Sequence, residues 1–379
     1  MTHIMDGRLR RALLAPVLML LAACGSDEPA GTERAAGTEE KVLHVYNWVD
    51  YIGETTIADF EARTGIKVTY DVYDSNEILE TKLLTGGSGY DVVVPAGPLL
   101  ERNLSANVFL KLDKSKLPNL ATMDPDIMRR AANHDPGNQH GFTYLWGTTG
   151  LGYNPAMIEK ALGTRTIDSW AAVFDPAVAA KLADCGIAML DAPHDVLSLA
   201  RIYLGLDMNS ETPEDLAAAE AVLMKVRPFV RYFDSSRHVN DLASGEICIA
   251  IGWSGGMLQA RARGATAATP VEVAYAIPKE GAPIWFDMIA IPIDAPHPEN
   301  AHAFLDYLMD PEVAAGITNL VQQPTGSAAA LPFVDERIAS DPAVYPTDEV
   351  MQRLQTYSAP SAEFSRQENR AWTRIRSGQ

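Results

Sequence analysis

From Lys41 onward, short apolar runs alternate with amphipathic ones, and this alternation limits the chain to a small set of folds. "KVLHVYNW" reads as a strand. "GETTIADFEART" reads as a helix with Ile57 and Phe60 on one face and Gly65 closing it. "IKVTYDVY" is a second strand, "SNEILETKLLTG" a second helix capped by Ser75 or Asn76, and "YDVVVPAG" a third strand. Strand–helix–strand units of this length imply right-handed crossovers and a sheet with parallel pairs.

A second α/β series follows "GFTYLWGTTGLGYN" (Gly141–Asn154). "IDSWAAVFDPAVAAKL" is predicted helical, "GIAMLDAP" a strand and "DVLSLARIYLG" a helix. "TPEDLAAAEAVLMKV" opens on a capping box, Thr212 to Asp215, with Pro213 at the first helical position. "EICIAIGWSGG" is a further strand, "VEVAYAIPKEGAPIWFDMIAIP" gives two more, and "ENAHAFLDYLMDPEVAAGITNLV" gives a helical pair. At 379 residues the chain has the length of two domains, or of one fold built from two lobes.

The first forty residues stand apart from this pattern. Arg8, Arg10 and Arg11 precede "ALLAPVLMLLAA", an apolar run too short to span a bilayer stably. Residues 1–23 are therefore read as a signal peptide. "LAAC" (Leu21–Cys24) has the form of a bacterial lipobox with Cys24 as the lipidated residue; a plain cleaved signal with an accidental cysteine is the alternative. Residues 24–40, polar and rich in Gly, Ala and Glu, have nothing to bury and read as a tether. Exported chains meet oxidising conditions, where Cys185 and Cys248 most simply pair, with two free buried thiols as the other possibility.

Open α/β sheets bind ligands beyond the carboxyl ends of their strands, and two lobes place a cleft there. Trp48, Asp50 and Tyr51 follow the first strand, Asp195 follows "AMLDAP", Trp253 follows "ICIAIG", and Trp285 and Asp287 lie in "IWFD". Asp50 and Asp195 are also placed to cap helices. Asp287 is harder to dismiss, because a carboxylate within "IWFDMIAIP" must be paired or functional. Three carboxylates and several aromatics suit an organic cation. A cation over an aromatic face gains about 0.5–2 kcal/mol, and a hydrogen bond to a charged group about 1.5–3 kcal/mol.

The formal net charge of −18 argues against nucleic acid and favours a cationic ligand. No HExxH, GxSxG or GxxxxGK[ST] motif is present, "GTTGLG" (Gly147–Gly152) is not GxGxxG, and the eight His are scattered. Neither enzyme activity, a metal nor a cofactor is expected. A hydrolase using a carboxylate pair remains an alternative to a binding protein.

These residues resemble the periplasmic putrescine/spermidine-binding proteins of polyamine ABC importers, with most likeness to the putrescine branch. The likeness runs from Val42 to Gly378 and is carried by "YNWVDYI", "FEARTGIKVTYDVYDSNEILETKLL", "TTGLGYN", "RYFDSS", "NDLASGEICIAIGW" and "RAWTRIRSG". It implies a two-lobe α/β periplasmic-binding-protein fold of type II, each lobe a mixed sheet flanked by helices. Lobe 1 is assigned to 41–146 plus 282–322 and lobe 2 to 147–281 plus 323–379, with hinges near 145–150 and 277–284. It also implies a Cys185–Cys248 disulfide, and matches Trp48, Asp50, Tyr51, Asp195, Trp253, Trp285 and Asp287 to ligand-contacting positions, Asp195 standing for a Glu. The expected protein is a monomer anchored at Cys24 in the periplasm, delivering a small amine to permease subunits.

The departures matter too. Val49 and Ala96 stand where the resemblance implies Ser, Pro98 where it implies another serine, Gly256 where it implies Asp and Gln323 where it implies Tyr. Loss of one member of a buried charged pair costs about 2–5 kcal/mol. The expected alternatives are therefore a ligand with one cationic end, such as an ω-amino acid, a guanidino compound such as agmatine, or a larger cation using space opened at Gly256 and Ala96. A sensor feeding a membrane signalling protein is the alternative to transport.

Overall fold

The computed structural model describes residues 39–379, so the signal segment, Cys24 and most of the tether lie outside the described residues. Ten strands occur among the described residues: β1 (Val42–Trp48), β2 (Lys67–Tyr73), β3 (Val92–Val93), β4 (Gly141–Tyr153), β5 (Ile187–Met189), β6 (Val230–Phe233), β7 (Ile249–Trp253), β8 (Ala274–Ala276), β9 (Ala282–Ala290) and β10 (Leu354–Thr356). They join in the order β2-β1-β3-β9-β4-β7-β5-β6, with β10 beside β9 and β8 beside β4.

The pairing is mixed. β1 runs parallel to β2 and β3, and β5 parallel to β6 and β7, as strand–helix–strand crossovers require. β9 and β4 run antiparallel through the middle. Residues 141–148 of β4 pair with β9, whereas Thr149–Tyr153 pair with β7 on one side, and Leu151–Tyr153 with β8 on the other. One strand thus belongs to both halves of the sheet, and all thirteen of its residues are buried.

Helices cover each half. Gly65 at φ 72° closes the first helix, Thr56–Thr64. Only half of the box at Thr212 forms: its hydroxyl accepts from the Asp215 amide, but the Thr212 amide donates to Ser210 Oγ, which in turn donates to Asp215, so the serine stands between the two ends of the box. Leu43, Val45, Val92, Phe142, Ile289 and Phe304 share the core of the first lobe, and Trp170, Ile187, Leu197 and Ile249 belong to a larger cluster centred on the second.

The glycine-rich "GTTGLG" lies inside strand β4, where the chain crosses between the lobes, and tight neighbours account for its glycines. Two expectations need correction. "IDSWAAVFDPAVAAKL" makes two helices, Ala171–Phe174 and Pro176–Leu182, because Asp175 precedes Pro176 and is held extended as the next N-cap. Residues 325–334, assigned above to lobe 2, pack against lobe 1: Thr325 bridges Leu145, Ser327 bridges Met123, and Ala330 and Val334 cluster with Ala314 and Ala315. The chain then passes through β10 and residues 357–361 to the carboxyl-terminal helix Ala362–Ser377, which packs on helices Pro193–Tyr203 and Pro213–Val226. The lobes are therefore linked by three crossings: within β4, through 277–281, and through 354–361.

Cys185 and Cys248 are joined across 63 residues of sequence, tying the end of helix Pro176–Leu182 to the start of β7. Cross-links that close long loops restrict the unfolded chain. Replacing both cysteines by alanine should cost about 2–5 kcal/mol of stability, measured by denaturant unfolding, because a native disulfide is lost.

Candidate functional site

Strand β1 ends at Trp48, whose indole Nε1 donates to the Val94 carbonyl at 2.9 Å and whose ring lies 4.6 Å from that of Tyr73. The chain then turns through Val49 and Asp50. Asp50 has φ 56°, a left-handed conformation that Asp tolerates better than most residues. The turn leaves Asp50 exposed and buries Tyr51.

The Tyr51 hydroxyl lies 2.6 Å from Asp287 Oδ2 and 2.5 Å from Gln323 Oε1. One phenolic hydrogen cannot serve two acceptors. The cluster is satisfied when Asp287 carries a proton and donates to the phenol oxygen, or when the Gln323 amide is reversed. Burial supports the first arrangement, pushing the Asp287 carboxyl up to about 7 against the opposing hydrogen bond from Tyr51. Asp287 is 8% exposed and forms no ion pair among the described residues. Tyr51 and Tyr73 respond in kind, their hydroxyls held well above the usual phenol range by burial first and by Asp287 second.

β9 puts Trp285 and Asp287 on one face, two residues apart, and turns Phe286 into the core. Gly147 lies opposite Trp285 in β4, and a Cβ there would sit 2.3 Å from the indole. The glycine is what lets the ring lie down on the strand. Trp285 Nε1 is buried without a partner.

A second carboxylate sits across β4. Asp195 occupies the first turn of helix Pro193–Tyr203, where the backbone dipole favours negative charge. Its Oδ1 accepts from Trp253 Nε1 at 3.3 Å and from the Tyr357 hydroxyl at 3.0 Å. Burial raises its pKa, opposed by His194, Trp253 and Tyr357. Trp253 ends β7 and precedes helix Ser254–Thr266, whose second residue, Gly255, admits Gln323: a Cβ there would lie 2.0 Å from Gln323 Nε2.

Of the expected positions, Tyr51, Asp287 and Gln323 thus meet in one cluster, Trp253 and Asp195 in another, with Trp48 and Trp285 beside them. Asp50 joins neither. It lines a groove of about 640 Å³ with the half-exposed Val49, Tyr70, Gln259, Arg263 and Leu320, and Tyr51 borders both this groove and the Asp287 cluster. Nor does Asp50 cap the first helix, whose N-cap is Thr55. Gly256 does not open a void on its Cβ side, since a Cβ there would meet Val239 at 3.2 Å. Ala96 bridges the Asp287 backbone and begins helix Gly97–Leu104 without a side-chain cap, with Pro98 in its first turn. Tyr73 and Tyr357 were not anticipated. Tyr73 ends an alternating strand and was open to inspection. Tyr357, after a three-residue strand, carries no local signal.

Residues 55–347 match the model of the bacterial extracellular solute-binding proteins. The chain belongs to this family. Among its relatives, the putrescine-binding periplasmic protein SpuD of Pseudomonas aeruginosa is 50% identical over 360 residues, covering 95% of this chain and 98% of the relative. The putrescine-binding periplasmic protein PotF of Escherichia coli is 45% identical over 342 residues, covering 90% and 92%. Among solved structures, the spermidine/putrescine substrate-binding protein PotD of Streptococcus pneumoniae superposes with a TM-score of 0.80 at 25% identity, covering 89% of this chain and 99% of that one. The fold is the two-lobe solute-binding arrangement of these proteins, consistent with two sheet halves sharing β4.

A carboxyl group with a folded pKa near 7 and an unfolded one near 4 stabilises the fold only while protonated. That contribution is full below about pH 4 and is lost as pH rises towards 7. In the absence of ligand, Asp287→Asn should therefore be more thermostable than the unsubstituted protein at pH 8, with the gap narrowing as pH falls and closing near pH 4, as read by melting curves across pH.

Proposed function

We propose that this solute-binding protein is the extracytoplasmic receptor of an ABC importer and closes its two lobes on a small organic amine of the putrescine class. The observation that carries the reading is Asp287, a buried carboxylate with no cationic partner among the described residues. Leaving such a group unpaired is costly unless a cation arrives to complete it. Asp195 repeats the arrangement on the other side of β4, hydrogen-bonded but forming no salt bridge. Two acidic ends suit a dication better than a zwitterion, because an ω-amino acid would set its own carboxylate against one of them. Trp48, Tyr51, Trp253 and Trp285 supply faces for a methylene stem, each buried CH₂ contributing about 0.8 kcal/mol.

The relatives, at 45–50% identity over nearly the whole chain, bear names as putrescine-binding periplasmic proteins, which supports transport rather than catalysis and a periplasmic location. In this reading residues 1–23 are removed, Cys24 carries the lipid anchor, residues 24–40 form the tether, and the receptor works as a monomer. The support for the anchor is the "LAAC" sequence alone. Asp50 is given the rim of the cleft instead of the ligand's nitrogen.

Calorimetric titration of ligand-stripped protein with putrescine, cadaverine, spermidine, agmatine and 4-aminobutyrate tests the reading. Saturable binding of a diamine, with 4-aminobutyrate weaker, is the expected result; no heat from any amine would sink it. Asp287→Asn should weaken diamine binding at least tenfold, and unchanged affinity would remove Asp287 from the site.

A further inference from the structure

The two carboxylates are built alike. Asp287 has Oδ2 held by the Tyr51 hydroxyl, and Asp195 has Oδ1 held by the Tyr357 hydroxyl. In each case the second carboxyl oxygen has no hydrogen-bond partner among the described side chains. We infer that Tyr357 is a positioning residue of the amine site: it fixes one oxygen of Asp195 so that the other faces a ligand ammonium, as Tyr51 does for Asp287. This rests on the reading of the cleft as an amine site.

Tyr357 is itself fixed from several directions. It lies in the third crossing, where β10 pairs with β9, and Arg130 of the first lobe donates to the carbonyls of Met351 and Leu354. Glu101 of the first lobe accepts from the Ala359 amide, while Asn209 of the second lobe donates to the Thr356 carbonyl and accepts from the Ser358 amide. The tyrosine is thus held by both lobes at once. Its ring lies 5.4 Å from that of His194, whose Nδ1 is 3.1 Å from Glu368 Oε2. Glu368, on the carboxyl-terminal helix, is also held by the buried Arg201 at 3.0 Å. A chain of contacts therefore runs from the carboxyl-terminal helix through His194 to Tyr357 and ends on Asp195.

Nothing in this assembly is explained by packing needs alone. A phenylalanine would fill the same space beside His194; the hydroxyl adds the bond to Asp195 and sits beside the buried Thr149 hydroxyl, which has no other partner among the described residues. The titratable groups facing Asp195 are His194 on its own helix and Tyr357 from the crossing, with Glu368 behind His194.

The test is Tyr357→Phe, made in the full chain alone and together with D195N, each titrated with putrescine between pH 5 and 8. Tyr357→Phe should weaken binding about tenfold to a hundredfold, the scale of one hydrogen bond to a charged group, with the melting temperature of the ligand-free protein little changed. In the D195N background the same substitution should add less than about twofold, since residues acting through one another are not additive. The acid limb of the affinity profile should also move to higher pH, because the lost donor had favoured the ionised carboxylate; a merely structural defect would lower affinity equally at every pH. Affinity within twofold of the unsubstituted protein, or full additivity with D195N, overturns the inference. If the unsubstituted protein binds no amine, the underlying reading fails and this inference falls with it.

Discussion

The fold depends on one strand that serves two sheets. β4 gives its first eight residues to β9 and its last five to β7, so the backbone hydrogen bonds of both lobes close on the same thirteen buried residues. Because the strand is continuous, it sets the distance between the lobes and leaves only a narrow strip where groups from both can meet. Gly147 lies on that strip and keeps it bare enough for Trp285. The side chains of the candidate site then arrive from the neighbouring strands: Trp48 at the end of β1 and Tyr51 after it, Asp195 after β5, Trp253 at the end of β7, and Asp287 within β9.

That geometry collects acid without collecting base. Among the described residues, the other buried acids have partners: Glu368 with Arg201 and His194, Asp91 with His297, Asp135 with His140. The buried Asp287 and the half-buried Asp195 are the contrast, each bonded by a tyrosine and forming no ion pair among these residues. Burial raises both carboxyl groups against those hydrogen bonds. A fold that can pair its buried acids elsewhere, and does not here, has left room for a positive charge from outside.

Much of this was legible in the sequence, for identifiable reasons. Apolar periodicity located the strands and their helices, and a carboxylate inside "IWFDMIAIP" could only be a site or a buried pair. What periodicity could not reach was direction. Asp50 and Tyr51 are adjacent, and only the left-handed backbone at Asp50 decides that one faces solvent and the other the cleft. Gly256 invited a reading as empty space, but Val239 comes from a separate helix to fill the side its Cβ would occupy. Tyr357 was beyond reach because it is brought to Asp195 by a crossing of the chain 162 residues away in sequence. The same crossing redraws the lobes, since residues 325–334 remain with the first.

The carboxyl group of Asp287, poised near neutrality, has a further consequence. On the proposed reading, an ammonium that enters below pH 7 finds the seat taken by a proton and must displace it. Binding of a dication then releases up to one proton from Asp287, which offsets part of the charge the ligand brings into the cleft. Such a receptor competes with acidity itself for its cargo. Its grip is strongest where protons are scarce and loosens as the medium outside the cell turns acid.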